Sequence, residues 1–206
     1  MDFNNNNMPE EGSPEYIEMM KQYYGDDFEL GYRVGFWKRV GSHVIDMIFI
    51  TIAGMIAFFN NDSFNEMMTR FSGGDVDILD PKLQDQFAQV SLEVVPIIML
   101  VRFFYFATEI FMAKSVGKMI MGLEIGSEDR QKADLVQLLK RYFIKHADTV
   151  LYLIFVITSI SVLNSATNII GYVILFGFLM VLRRERQALH DYAAKTAVFS
   201  KDAIKN

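Results

Sequence analysis

The chain is predicted to be an all-α membrane protein. Its expected form is a bundle of four transmembrane helices, with an amphipathic inner-leaflet segment between helices two and three. Three observations predict this. Apolar residues make up 51% of the 206 residues, mean hydropathy is +0.19, and the excess is gathered into runs long enough to cross a bilayer. Basic residues cluster beside the ends of those runs. Finally, opposite charges inside the first two runs fall at positions that match if the runs pack antiparallel.

Residues 1–30 form an acidic, Asn-rich tail: residues 1–36 hold eight acids against two bases, Lys21 and Arg33. Such a composition buries too little apolar surface to fold alone, although Glu15 to Tyr24 can form a helix. No secretory signal is read in the tail, so the first helix is expected to serve as the insertion signal, leaving the tail in the cytoplasm. Residues 31–200 are expected to form the transmembrane domain, with 201–206 as a short C-terminal tail.

The first apolar run, Trp37 to Phe59, is long enough at ~1.5 Å per residue to span a ~30 Å hydrocarbon core. The second, Leu92 to Ala113, has Pro96 near one end, where a helix tolerates it best. The last apolar stretch, about Ala147 to Leu182, is too long for one crossing. Its polar middle, NSATN (Asn164 to Asn168), is expected to turn the chain into a helical hairpin. Charge placement supports four spans. Lys38 and Arg39 flank the first helix, Lys114, Lys118, Lys132, Lys140, Arg141 and Lys145 follow the second, and Arg183, Arg184 and Arg186 follow the last. Four spans put all three clusters on the cytoplasmic side, whereas three would export the last.

Between the second and third spans, Lys132 to Ala147 places Leu135, Leu138, Leu139, Tyr142 and Phe143 at helical spacing. This segment reads as an amphipathic helix with Lys140, Arg141 and Lys145 among the lipid phosphates, or equally as a cytoplasmic extension of the third span.

The charges inside the spans are the main functional clue, since intramembrane charges are costly and tend to be paired or functional. One antiparallel alignment puts Arg39 level with Glu109 and Asp46 level with Arg102. Arg39, His43 and Asp46 are spaced i, i+4, i+7 and share a helix face. If Asp46 and Arg102 meet, each neutralises the other. If they do not, Asp46 becomes a proton-binding carboxylate with His43 as its relay. The ladder reads either as architecture that fixes helix register or as an ion or proton site built on Asp46, Arg102 and His43. The rung of Arg39 and Glu109 is the more structural one, because both can snorkel.

Three ordered motifs give a family resemblance. GFWKRVGSHVID (Gly35 to Asp46) enters the first helix, EIFMAKSVGKMIMGLEI (Glu109 to Ile125) ends the second in a Gly-Lys turn, and RRERQALHDYAAKT (Arg183 to Thr196) follows the last. Together they resemble the RDD family of bacterial membrane proteins, named for one arginine and two aspartates, here Arg39, Asp46 and Asp191. The central turn departs from the common Thr-Pro-Gly-Lys form by reading SVGK. The resemblance implies a multi-pass protein of the bacterial cytoplasmic (inner) membrane, and transport, including cation/proton exchange, is the role proposed for some members. The alternative is a non-transporting adaptor or scaffold subunit whose acidic N-terminal tail or basic inner face recruits soluble partners.

Asp191 is expected to accept hydrogen bonds from Arg39 or Lys118 and tie the C-terminal segment beneath the bundle, with His190 at the interface. No enzyme is expected: the adjacent His190 and Asp191 come without a serine elbow. The chain has no cysteine, which excludes disulfides and thiolate metal sites. Asp75, Asp77 and Asp80 lack the glycine and glutamate of an EF-hand loop, and Gly117-Lys118 lacks P-loop spacing. Neither metal nor other cofactor is expected. The terminal arginines read as a topology signal rather than a nucleic-acid patch. Four helices enclose little interior, so a homo-oligomer or membrane complex is expected.

Overall fold

The computed structural model describes residues 13–24, 30–73 and 81–205. The expectations placed on Asp75, Asp77 and Asp80, and on the first twelve residues of the tail, lie outside them. In chain order the elements are α1 (Pro14–Tyr24), α2 (Phe36–Phe59), α3 (Asp62–Ser72), α4 (Pro81–Met112), α5 (Val116–Ile120) and β1 (Leu123–Ser127). Then come α6 (Leu135–Lys145), α7 (Ala147–Thr158), α8 (Ser161–Phe178), α9 (Leu189–Ala193) and β2 (Thr196–Ser200). A 3-10 turn, Leu179–Leu182, extends α8.

Among the described residues, three helices are long and apolar enough to cross a membrane: α2, α4 and α8 with its extension. Their apolar side chains face outward, as Ile48, Ile52 and Ile56 do on α2, Phe104 and Phe111 on α4, and Ile169, Val173 and Phe176 on α8. An apolar surface that continuous belongs against lipid. Conversely, the buried face of α2 is Arg39, Ser42, Asp46, Ile50 and Gly54, a stripe at helical spacing whose N-terminal half is polar. Helix α2 is apolar outside and charged inside.

Helices α2 and α4 pack antiparallel, as the matched charges predicted, but in a different register. His43 stacks on Phe106, Asp46 accepts from Tyr105, and a Cβ on Gly54 would touch Ile98. Tyr105, one turn beyond Arg102, therefore stands level with Asp46. Neither predicted rung forms. Arg39 pairs with Asp191, Glu109 with Lys118, Lys145 and Arg141, and Arg102 with Asp148. The shared sum of positions fixed direction but could not resolve a shift of one helical turn.

The hairpin of α7 and α8 also differs. The chain turns at Ser159, which adopts φ 57°, and NSATN lies inside α8. Thr167 and Asn168 donate to the carbonyls of Leu163 and Asn164; such back-bonding to the preceding turn lets polar residues sit within a helix. Helix α6 occupies the expected amphipathic segment and is capped by Asp134 and Gln137 in a capping box. Only part of its polar face meets the surroundings, however. Lys140 is exposed, while Arg141 and Tyr142 are buried and Lys145 is largely so. The chain breaks helical geometry at His146 before α7 begins.

A small antiparallel sheet was not foreseen. Strand β1 pairs with β2 in the register Leu123↔Ser200, Ile125↔Val198, Ser127↔Thr196. Val34 adds a backbone hydrogen bond to Val198 at 2.8 Å. Val34, Leu123, Ile125, Leu138 and Val198 form one apolar core there, separate from a second core of Ile50, Phe106 and Tyr142 where α2, α4 and α6 meet. The sheet fastens the chain's last strand beneath the basic ends of the helices.

Candidate functional site

The site lies where α2 begins, α4 ends, and α6 and α9 cross beneath them. Its framework is a chain of alternating charges. The carboxylate of Glu109, 2% exposed, accepts from Lys118, from Lys145 at 2.9 Å and from Arg141 Nη1 at 2.6 Å. Arg141 Nε donates to Asp191 Oδ1 at 2.7 Å, and Asp191 Oδ2 accepts from Arg39 and from the amide of Ala188. Arg39 also donates to the carbonyls of Val34 at 3.0 Å and Arg186 at 2.6 Å. Arg141 thus bridges two buried carboxylates, which a planar fork of five donors is built to do.

The electrostatics outside the spans follow from this crowding. Burial opposes a charge on Asp191, yet Arg141 and Arg39 outweigh it and hold the carboxyl well below the usual carboxylate range. Burial likewise opposes the charge of Arg141, and Asp191 and Glu109 more than restore it. Lys145 is pushed down to about 7 by burial, with Glu109 only partly offsetting the effect and Lys118 and Arg141 adding to it. Burial brings His190 down to about 3 and holds His146 well below the ordinary imidazole range.

Asp46 stands apart from this chain. Its Oδ1 accepts from Tyr105 Oη and from the amide of Gly117, and its Oδ2 from Ser115 Oγ, each at 2.7 Å. The carboxylate therefore clamps the turn between α4 and α5 onto α2. Glycine is required at 117: a Cβ there would lie 2.0 Å from the Ser42 carbonyl oxygen. Ser115 also caps α5. The SVGK turn holds without the expected proline because Ala113, at φ 54°, and the Ser115 cap make the reversal.

A cavity of about 300 Å³ opens beside this framework. Of the residues singled out in the sequence, Arg39, His43, Asp46, Arg102, Lys118 and His190 line it, and Arg141, Lys145, His146 and Asp148 join them. Glu109 and Asp191 stand behind its wall, held in the charge network. The expected pairing of Asp191 with Arg39 is present, whereas Lys118 serves Glu109. His190 is buried beside Arg141 Nη2, at 3.4 Å, rather than lying at an interface. His43 is at the edge of the cavity and forms no relay contact with Asp46; its ring stacks on Phe106.

Two lining residues, Asp148 and His146, lie outside the charges singled out in the sequence. Asp148 is an acid at the mouth of an apolar run, the same signal that singled out Asp46 and Glu109, and it receives Arg102 Nη1 at 3.3 Å. His146 is 1% exposed, and its ring stacks on Phe106 with centroids 4.8 Å apart. Neither of its ring nitrogens has a hydrogen-bond partner among the described residues. No group of three metal-ligating side chains occurs among the described residues.

Neither a curated protein nor a solved structure matches the chain. The family model of the RDD family matches residues 33–195, a span that contains Arg39, Asp46, Asp191 and every residue lining the cavity except Val198, and the chain belongs to that family of membrane proteins.

Proposed function

We propose that the protein is a multi-pass transport protein of the bacterial cytoplasmic membrane, and that ions or protons are handled in the cavity beside the charge network. Helices α2 and α4 supply two passes and the α7–α8 hairpin two more, with both termini on the cytoplasmic side. Support for that topology comes from the basic clusters. Arg39 and Arg186 meet at one end of the molecule, and Lys118 joins the network there, as the positive-inside rule requires of a cytoplasmic face. Helix α7 is the short pass, 12 residues or about 18 Å at ~1.5 Å per residue.

The observation that carries the transport reading is the cavity itself. Ionisable side chains from α2, α4, α6 and the start of α7 converge on one space, the arrangement expected of an ion or proton pathway. No covalent chemistry is part of the proposal. Purified protein in proteoliposomes loaded with a pH dye tests it. Ion-dependent pH changes should appear with the full chain and be lost in Arg102→Gln. Equal signals from the protein and from empty liposomes would refute transport. The adaptor reading draws on the helix α1 in the acidic tail; deleting residues 1–30 spares flux in a transporter and disables an adaptor.

A further inference from the structure

We infer that the cavity is a binding site for a phosphate-type oxyanion, seated on His146, Arg102 and Lys145. The inference rests on reading the cavity as a guest-binding site and goes on to name the chemistry of the guest.

Charge decides the sign. Arg39, Arg102, Lys118, Arg141 and Lys145 line the space against two carboxylates, Asp46 and Asp148. Both carboxylates are engaged, Asp46 by three donors and Asp148 by Arg102. With Glu109 and Asp191 counted from behind the wall, Arg39, Arg102, Lys118 and Arg141 balance the four carboxylates, and Lys145, brought down to about 7 by burial, adds up to one further positive charge. A metal cation entering this space meets no free carboxylate, whereas an anion meets unspent donors and favours the charged form of Lys145.

Unspent donors fix the seat. His146 is buried with both ring nitrogens unpartnered among the described residues, and Arg102 Nε is in the same state. Lys145 spends one of its three N–H groups on Glu109, and its ammonium lies 4.3 Å from the centre of the Phe106 ring. Buried donors left without acceptors are costly, so a native site with several of them calls for an acceptor-rich guest. A neutral imidazole has one donor and one acceptor nitrogen. An oxyanion that carries a hydroxyl, on phosphorus or on an attached glycerol, satisfies both.

Part of the lining is apolar. Ile174, Leu175 and Phe178 of α8 supply it, and Leu175 also faces outward. Polar donors beside an outward-facing apolar helix fit the head of an anionic amphiphile, and a free phosphate ion fits the donors alone. The volume, about 300 Å³, suits a headgroup at the small end of the ~300–1,000 Å³ range of ligand pockets.

Two arms test the inference on the full chain. In neutral detergent, inorganic phosphate is titrated against chloride at equal ionic strength, with ³¹P line width and thermal midpoint as readouts. In nanodiscs, retention of phosphatidylglycerol is compared with that of phosphatidylcholine by native mass spectrometry. Saturable binding in either arm, weakened about tenfold or more by His146→Ala and by Arg102→Gln, is expected, because each variant removes a donor to a charged acceptor. Binding of phosphatidylglycerol alone assigns the site to a lipid head, and binding of inorganic phosphate alone to the free ion. If phosphate behaves as chloride does and the two lipids are retained equally, the inference falls. Binding without flux refutes transport and leaves this site standing; flux without binding does the opposite.

Discussion

Arg141 Nε donates to Asp191 Oδ1 at 2.7 Å, and through that bond the amphipathic segment after the second long helix is tied to the C-terminal part of the chain. The same guanidinium reaches Glu109 on α4, so one side chain joins three elements distant in sequence. Removing it leaves two buried carboxylates short of a cation, while replacing a whole buried network by apolar groups is often nearly neutral.

Arg141→Met is therefore expected to lower stability by about 3–5 kcal/mol, the usual cost of stranding a buried charge. Arg141→Lys should recover only part of that, since an ammonium lacks the fork that spans both carboxylates. Thermal unfolding in detergent measures both. A midpoint for Arg141→Met equal to that of the parent would show that the network contributes nothing.

Stability should also depend on pH in a defined sense. Lys145 binds its proton less well when folded, at about 7, than when unfolded, ordinarily about 10.4. Between those values the unfolded chain holds more protons, so stability rises with pH there. As Lys145 loses its proton, Glu109 keeps Lys118 and Arg141, which confines the effect to one group. His190, at about 3 when folded, and His146 act in the same sense on the acid side: stability falls as pH drops below about 6.5. Asp191, held low, loses its contribution only at still lower pH. Lys145→Met should flatten the profile between pH 7 and 9, and His190→Gln between pH 6 and 4. Unchanged slopes in both variants would contradict the burial of these groups.

Two glycines make a matched comparison. Gly117→Ala drives a Cβ to 2.0 Å from the Ser42 carbonyl oxygen and 2.8 Å from Asp46 Oδ1, so α5 must leave α2 and the Asp46 clamp opens. A loss on the order of 3 kcal/mol or more is expected, as for other changes that break a buried polar cluster. Gly171→Ala on α8 meets nothing within 4 Å and should gain about 0.5–1 kcal/mol through helix propensity. The sign difference between the two midpoints is the test.

How far the sequence foretold this arrangement depended on the range of each signal. Local periodicity and run length sufficed for α2, for most of α4 and for α6, and of the two partners expected for Asp191, Arg39 or Lys118, the structure has Arg39. Register between helices was not legible, because a shift of one turn, from Arg102 to Tyr105, leaves the apolar pattern of both helices unchanged. Arg141 and Lys145 looked like lipid-facing cations because amphipathicity shows which residues share a face, not whether that face meets water, phosphate or buried carboxylates. The pairing of β1 with β2 joins segments some seventy residues apart, and a five-residue strand next to a Gly-Lys turn carries too little pattern to announce a distant partner.

The last strand carries more of the fold than its place at the end of the chain implies. Ala197, Val198 and Phe199 are at most 1% exposed, and Val198 belongs to the apolar core that holds Val34 ahead of Arg39. Phe199 packs against Gly126, where a Cβ would come within 3.1 Å of its ring. Phe199→Ala should therefore cost about 3–5 kcal/mol, the range for emptying a large buried site. Because Val34 accepts Arg39 Nε through its carbonyl and donates to Val198, loosening β2 should also disturb the charge network. Truncation after residue 195 is expected to shift the pH profile of stability as well as lower its maximum, since the groups around Lys145 become hydrated. A truncated protein with an unaltered profile would show that the sheet and the network are independent.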